Sequence, residues 1–234
     1  WQNIRLNQPQ SANITVILPC PRRKSCLSCG HPAGHIHQEG TFGKCTGTSF
    51  VDSTPLRVCK NQRIHIHKTF KGIAQRGKCS MGWFFGFKLH LICNERGELL
   101  NFMITPGDVD DRKQLEYKAF VEFIYGKLVG DKGYIGKNLF QRLFVDGIQL
   151  ITKLKSNMKG ALMSVSDKLL LRKRAIIETV NDELKNIAQV EHSRHRTFDN
   201  FIVNLLSAIA AYCCFPKKPC INVTRTIDTQ LALF

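Results

Sequence analysis

The hydrophobic and polar positions along the chain predict a mixed β-sheet with helices packed on it. The clearest signal is GWFFGFKLHLICNERGELLNFMITPG, in which apolar Phe87, Leu89 and Leu91 alternate with Lys88 and His90. The Asn-Glu-Arg-Gly turn that follows and the apolar run after it complete a β-hairpin. This hairpin predicts two neighbouring strands of the sheet.

The segments before the hairpin predict one strand and one basic connection. TSFVDSTPLRVC is typical of a strand that reaches Asp52 and breaks at Pro55. NQRIHIHKTFKGIAQRGKCS predicts a basic loop or ribbon. The strand therefore carries a carboxylate close to its predicted end.

After the hairpin, predicted helices alternate with strands. DDRKQLEYKAFVEFIYG indicates a helix with Asp110 as its N-cap, and KLVGD indicates a short strand ending at Asp131. A helix stopped by Gly147 and the strand IQLITKLK come next. One long helix lies in SVSDKLLLRKRAIIETVNDELKNIAQVEH, and a more apolar helix is ended by Pro216. This order predicts an α/β fold.

Composition and charge favour a globular protein that handles a polyanion. Lys and Arg number 34 against 18 Asp and Glu, which gives a formal charge of +16. Nucleic acid is the first candidate partner, although charge alone also allows a basic protein without one. Ten scattered cysteines in a chain of this length favour reduced thiols in a cytoplasmic protein over a disulfide scaffold. The longest apolar run, Leu205–Phe215, is too short to cross a bilayer.

Two predicted strands end in an aspartate, and this pattern suggests a metal site. Asp52 follows SFV and Asp131 follows LVG, so both carboxylates belong at strand ends, where α/β sheets gather their ligands. If the strands are neighbours, the two carboxylates repel each other unless a proton or a cation lies between them. Mg²⁺ is the natural occupant. Each Asp taken alone is explained as well by a turn, where Asp is common.

A third acid lies on a predicted helix between two basic residues. Arg174, Glu178 and Lys185 fall within about 60° of one another on a helix. The apolar stripe beside them, which would dock the helix on the sheet, comprises Ile177, Val180, Leu184 and Ile187. A solvated face with an Arg174–Glu178 ion pair explains the same spacing. Asp182 shares the face of Glu178, so spacing does not choose between them.

Several strings together resemble the insertion-sequence transposases of the Asp-Asp-Glu class, most closely insertion-sequence family nine hundred and eighty-two. They are FVDSTPLRVC, KTFKGIA, MGWFFGFKLHL, GELLNFMITPGDVDDR, GDKGYIGK, LITKLKSNMKG, IIETVNDELKNI and EHSRHRTFDNF. The resemblance implies a ribonuclease-H-like core and a metal-binding catalytic triad of Asp52, Asp131 and Glu178. It also implies a bacterial, nucleoid-associated protein that assembles as a homo-oligomer on DNA.

The resemblance implies a mechanism of metal-dependent hydrolysis at the element ends followed by strand transfer into target DNA. Two Mg²⁺ ions, with Mn²⁺ as an alternative, would lie about 3.5–4 Å apart at the scissile phosphate. Related transposases carry a Tyr, Arg, Glu, Lys signature. Arg174, Glu178 and Lys185 match it, whereas Leu171 stands at the Tyr position. Arg174 and Lys185 would contact phosphate oxygens, and the set of weaker candidates is Lys132, Lys153 and Lys155.

Two further groups have more than one explanation. The basic run Arg63 to Lys78, with His65 and His67, is either a DNA-contacting segment or a solvated loop. Three rival carboxylates precede a predicted helix, where capping explains them better than catalysis: Asp108, Asp110 and Asp111.

The boundaries that we expect are an irregular segment at 1–42, a catalytic core at 43–220 and a tail at 221–234. Cys26 and Cys29 with His35 and His37 suggest Zn²⁺, but the interval between the pairs is short for a zinc finger. The segment lacks the helical DNA-binding region that family members carry, so we expect a truncated or decayed copy. The alternative function is a DNA-binding transposase remnant without catalysis, and a general ribonuclease-H-like nuclease is a third hypothesis.

Overall fold

Seven strands form one mixed sheet in the computed structural model, which describes residues 42–153, 163–191 and 195–222 and the backbone of residues 16–17. The strands are β1 Val16–Ile17, β2 Thr48–Cys59, β3 Gln75–Cys79, β4 Gly82–Asn94, β5 Leu99–Pro106, β6 Gly126–Gly130 and β7 Ile148–Thr152. Their order is β1-β5-β4-β2-β6-β7, and β3 pairs with the start of β4 beyond the end of β5. The pairs β2–β6 and β6–β7 are parallel, and the others are antiparallel.

Helices cover both faces of this sheet. They are α1 Asp111–Leu115, α2 Lys118–Val121, α3 Lys137–Val145, α4 Val165–Lys173, α5 Ala175–Asn186 and α6 Phe198–Cys213. Two 3-10 turns, Asn61–Arg63 and Lys132–Tyr134, lie in the connections. The predicted hairpin and the α/β order are confirmed. No helix in the described part of the chain is long and apolar enough to cross a membrane.

Successive residues of the central strands point into two different cores, because side chains alternate along a strand. Phe50 packs in the core beneath α4, α5 and α6, whereas its neighbour Val51 packs in the core beneath α1, α2 and α3. The alternation of side chains in β4 therefore shows which of the two cores a residue faces. It does not separate buried residues from exposed ones. His90 is an example, since it is fully buried and its Nε2 lies 2.9 Å from the Thr105 hydroxyl.

The predicted break at Pro55 is wrong, because β2 continues through Pro55 to Cys59. Pairing between β2 and β6 ends at Phe50, so at Pro55 the strand partner of β2 within the described residues is β4 alone. A proline is tolerated where no ladder hydrogen bond is needed from its nitrogen. The Pro55 carbonyl instead accepts a hydrogen bond from Lys185 Nζ at 2.9 Å.

The prediction of one long helix before α6 is also wrong. The segment forms α4 and α5, and Arg174 is the C-cap of the first and the N-cap of the second. The backbone of Arg174 stays in the helical region (φ −56°, ψ −20°). The hydrophobic periodicity of the sequence therefore continues across Arg174 and does not reveal the break between α4 and α5. Of the predicted apolar stripe, Ile187 is 60% exposed, because α5 ends at Asn186.

The segment after Asp110 likewise forms two short helices instead of one. Asp110 is the N-cap of α1, as predicted, and its carboxylate accepts from the Arg112 backbone N–H. The extended backbone of Tyr117 separates α1 from α2. The Asn101 amide donates to the carbonyls of Ala119 and Phe120, which satisfies backbone groups of this short helix.

The first part of the chain was predicted to be irregular, and its described residues form the short strand β1 on the edge of β5. The zinc-candidate residues Cys26, Cys29, His35 and His37 lie outside the described residues, as does Lys155. The cysteines in the described part of the chain are free thiols.

Candidate active site

Parallel pairing of β2 with β6 brings Asp52 and Asp131 to the same level of the sheet. Phe50 pairs with Val129, and each aspartate lies two positions beyond its member of that pair. Asp131 directly follows β6, at its carboxyl end, whereas Asp52 lies within β2. A site shared by the two aspartates requires that their strands be neighbours, and β2 and β6 are neighbours in the sheet.

Helix α5 places the third acid above this pair. Ile177, Val180 and Leu184 are buried against the sheet and fix the rotation of the helix. Glu178, in the first turn of α5, then projects into a cavity of about 430 Å³ that Asp52 and Asp131 also line. The three predicted carboxylates thus share one cavity.

Arg174 is in contact with all three carboxylates. Its guanidinium nitrogens lie 2.5 Å from Glu178 Oε1, 3.6 Å from Asp52 Oδ1 and 4.0 Å from Asp131 Oδ1. The position at the α4–α5 break lets the side chain reach both strands while it keeps its i,i+4 pair with Glu178. The predicted salt bridge is present, and through Arg174 it joins the two aspartates in a four-residue cluster, in which Glu178 is still 54% exposed.

Asp52 is the most buried of the three acids, with a side chain that is 21% exposed. Burial raises its pKa to about 6, against the opposing effect of the Arg174 charge and with a further rise from Glu178 and Asp131. The Asn181 amide donates to Asp52 Oδ2 at 3.1 Å and holds this carboxylate in place. Asp52 can therefore bind either a proton or a cation near neutral pH.

Comparison with known proteins decides the family. Residues 42–198 match the family model described as the transposase DDE domain, a span that includes all three acids. The chain belongs to this transposase family. No curated protein sequence matches it.

The fold of the transposase domain also resembles that of a solved structure, the piggyBac transposase in a synaptic complex with hairpin DNA. The TM-score is 0.51 at 10% sequence identity, which confirms the ribonuclease-H-like fold. The similarity covers 80% of this chain and 49% of the piggyBac chain, so the chain spans about half the length of that transposase. The narrower assignment to insertion-sequence family nine hundred and eighty-two stays a prediction.

The transposase domain brings two of the predicted phosphate-binding residues to the carboxylates. Arg174 and Lys185 line the cavity, and Lys185 Nζ lies 3.6 Å from Glu191 Oε2. Lys132 and Lys153 are exposed and do not line it.

Leu171, at the position of the signature tyrosine, is buried in the core beneath α4, α5 and α6. The signature position is therefore filled by a packing residue. A role that needs a tyrosine hydroxyl at this position is absent from the transposase domain.

Sequence reasoning treated Asp111 as a capping residue, and the structure separates it from Asp110. Asp110 caps α1 and pairs with Arg112, whose hydrogen bonds lower the Asp110 pKa to about 2. Asp111 instead lines the cavity, and its carboxylate lies 3.0 Å from Lys88 Nζ.

Sequence reasoning also missed Asn181, although its spacing of three from Glu178 and seven from Arg174 places it on the same helix face. Of the cavity residues on β3, on β4 and in the turn between them, Lys78 belongs to the predicted DNA-contacting run, and the others were missed: Cys79, Ser80, Met81, Phe84 and Lys88. Their part in the site depends on the pairing of β3 with β4, which no local pattern specifies.

The donor set of this cavity fits a hard divalent cation, because all three acids offer carboxylate oxygens. As they stand, no three His, Cys, Asp or Glu side chains of the described residues are close enough together to hold a metal ion. The positive charge among them is the Arg174 guanidinium. The carboxylates therefore converge on one cationic group.

Proposed function

We propose that the chain cuts DNA at the ends of an insertion sequence in a metal-dependent reaction and joins those ends to target DNA. The observation that carries the proposal is the convergence of Asp52, Asp131 and Glu178 on one cationic group in a shared cavity. Carboxylates that share a cavity repel one another without such a charge. The family and the formal charge of +16 support DNA as the substrate.

The proposed ligands for Mg²⁺, or for Mn²⁺ in its place, are Asp52, Asp131 and Glu178. Bound cations of this kind polarise phosphoryl oxygens and make water a better nucleophile near neutral pH. Asn181 orients Asp52 through its amide and so acts as a positioning residue. We expect two ions in the active state, as two-metal phosphoryl-transfer sites use.

The proposed role of Arg174 and Lys185 is to bind phosphate oxygens of the DNA backbone. Both side chains line the cavity that contains the acids, so a phosphate beside the acids is within their range. Lys132 and Lys153 lie outside the lining and are proposed to contact the backbone further along the DNA. As with related transposases, we propose that the chain works as a homo-oligomer on DNA.

Glu178 is the proposed third ligand in preference to Asp182. Both line the cavity, but Glu178 is the one in contact with Arg174 and through it with the two aspartates. Glu178→Gln should abolish cleavage, whereas Asp182→Asn should retain most of it. Equal losses in the two variants would remove the assignment of Glu178.

A nicking assay tests the proposal as a whole. The substrate is DNA that carries the inverted repeats of the element, and the wild-type chain is compared with Asp131→Asn in Mg²⁺ and in EDTA. The matched control is Asp146→Asn, which changes an exposed carboxylate after α3. We expect nicking by the wild type and the control in Mg²⁺ alone, and none by Asp131→Asn.

Other outcomes identify the alternatives. Binding of the repeats with no difference in nicking between the wild type and Asp131→Asn would show a DNA-binding remnant without catalysis. Metal-dependent cleavage of unrelated DNA or of RNA–DNA hybrids at the same rate would show a general nuclease.

A further inference from the structure

A hairpin tip, defined here as residues 78–83, extends the catalytic cavity beyond the acids. It connects β3 to β4, and four of its residues line the cavity that contains Asp52, Asp131 and Glu178: Lys78, Cys79, Ser80 and Met81. The strand β3 belongs to the connection between β2 and β4, where the sequence predicts a basic loop or ribbon that is either a DNA-contacting segment or a solvated loop. These four residues therefore lie beside a DNA strand that reaches the acids, and Trp83 lies next to the cavity rather than in its lining.

Two large apolar side chains of the hairpin tip are exposed. Met81 is 81% exposed and Trp83 is 51% exposed, although the next residue, Phe84, is buried at 1%. The base of the hairpin is packed so closely that a Cβ on Gly77 would lie 2.1 Å from the Gly107 carbonyl oxygen. A firmly held hairpin thus presents an indole that contributes little to the core.

Two cationic side chains lie next to the Trp83 indole. The Arg76 guanidinium carbon lies 5.0 Å from the centre of the Trp83 ring, and Lys78 Nζ lies 5.9 Å from it. Lys78 and Trp83 are also direct cross-strand partners. No Asp or Glu occurs in the sequence between Asp52 and Glu95, so the hairpin carries positive charge alone. An indole beside fixed cations matches a base with its phosphate.

We infer that the hairpin tip binds unpaired nucleotides of the DNA strand next to the scissile phosphate, with Trp83 stacking on a base and Lys78 and Arg76 holding its phosphates. This inference rests on the proposed function for its substrate. An unpaired nucleotide is the occupant because the bases of an intact duplex already stack on both faces, whereas a free base offers a face to the indole. Met81, at the turn of the hairpin, contacts the edge of the same unpaired nucleotides.

The chain provides its own reporter for this contact. It has two tryptophans, so Trp1→Phe leaves Trp83 as the source of tryptophan fluorescence. The full chain carrying Trp1→Phe is titrated in EDTA with three DNA probes: a mixed single strand of about 15 nucleotides, the blunt duplex of that strand, and the duplex with a short single-stranded overhang. Anisotropy of labelled DNA measures affinity in parallel.

We expect saturable quenching of Trp83 fluorescence by the single strand and by the overhang, and little by the blunt duplex. Trp83→Ala should weaken binding of the overhang by about five- to 150-fold, because stacking on an aromatic ring contributes that much per base. Trp83→Phe should recover most of the affinity. Phe140→Ala, which removes a comparably exposed ring from α3, should bind as the wild type does.

Three results would overturn the inference: binding without a change in Trp83 fluorescence, equal affinity of Trp83→Ala and Phe140→Ala for the overhang, or no preference for unpaired DNA. Circular dichroism excludes unfolding of the variants. Because binding is measured without metal, a chain that cannot nick DNA but shows the quenching would contradict the proposed function alone. A chain that nicks DNA without the quenching would contradict this inference alone.

Discussion

Replacement of Asp52 by Asn should change how stability depends on pH. Asp52 has an ordinary pKa of 3.8, and burial raises it to about 6 in the folded chain. Between these values the folded state holds a proton that the unfolded state has lost, so wild-type stability falls as pH rises through this window. The stabilisation is fully present below pH 3.8 and is lost above about pH 6.

The magnitude follows from the difference between the two pKa values. Each pKa unit corresponds to about 1.4 kcal/mol, so ionisation of Asp52 costs the folded state about 3 kcal/mol by neutral pH. Asp52→Asn has no proton to lose, and it keeps a side chain of the same shape. Relative to the variant, the wild type should therefore lose about 3 kcal/mol of unfolding free energy between about pH 3 and about pH 7.

Urea denaturation at a series of pH values in EDTA measures this difference. Burial lowers the pKa of His90 to about 4, and this opposes the Asp52 effect in the raw stability profile. His90 is the same in both proteins, so its contribution cancels in the comparison. Asp146→Asn, at an exposed carboxylate, should follow the wild-type profile. Parallel profiles for the wild type and Asp52→Asn would refute the assignment of a raised pKa to Asp52.

Three further substitutions test separate contacts. Asn181→Ala should weaken Mn²⁺ binding by about 10- to 100-fold, because Asp52 loses its orienting amide; unchanged affinity in a titration monitored by electron paramagnetic resonance would contradict this. Lys185→Gln should reduce the slope of log affinity for DNA against log salt by about 0.9, and an unchanged slope would mean that Lys185 stays with Glu191. Gly77→Ala should lower the unfolding free energy by about 1–3 kcal/mol through a clash with Gly107. Gly133→Ala, where a Cβ meets nothing within 4 Å, is its control, and equal urea midpoints would exclude the clash.

The sequence was informative wherever hydrophobic periodicity and strand-end chemistry agreed. The hairpin of β4 and β5 and the placement of Asp131 directly after β6 follow from alternation and turn residues. The closeness of Asp52 and Asp131 required the parallel pairing of β2 with β6, which no local pattern specifies. The predicted grouping of the acids therefore depended on β2 and β6 being neighbours, and the order of strands in the sheet places them side by side.

The remaining features depend on tertiary structure. Pro55 is a strand residue because no second strand of the described chain pairs with β2 there, a fact of sheet order rather than of local propensity. Arg174 interrupts a helix without leaving the helical backbone region, so periodicity could not reveal the break. The hairpin tip borders the cavity because β3 pairs with the start of β4, beyond the end of β5, and this pairing joins residues that are distant in sequence from Asp131 and Glu178.

Sulfur substitution at the scissile phosphate tests the central claim most directly, namely that Asp52, Asp131 and Glu178 hold the cations that contact the phosphate. Element-end DNA with a phosphorothioate at the cleavage position is compared with unmodified DNA in Mg²⁺ and in Mn²⁺. Hard Mg²⁺ binds sulfur poorly and the softer Mn²⁺ binds it better. We predict that cleavage of the modified DNA is lost in Mg²⁺ and restored in Mn²⁺ by the wild type, and not by Asp131→Asn. Equal cleavage of the two DNAs in Mg²⁺, or no cleavage by the wild type under any of these conditions, would contradict the account.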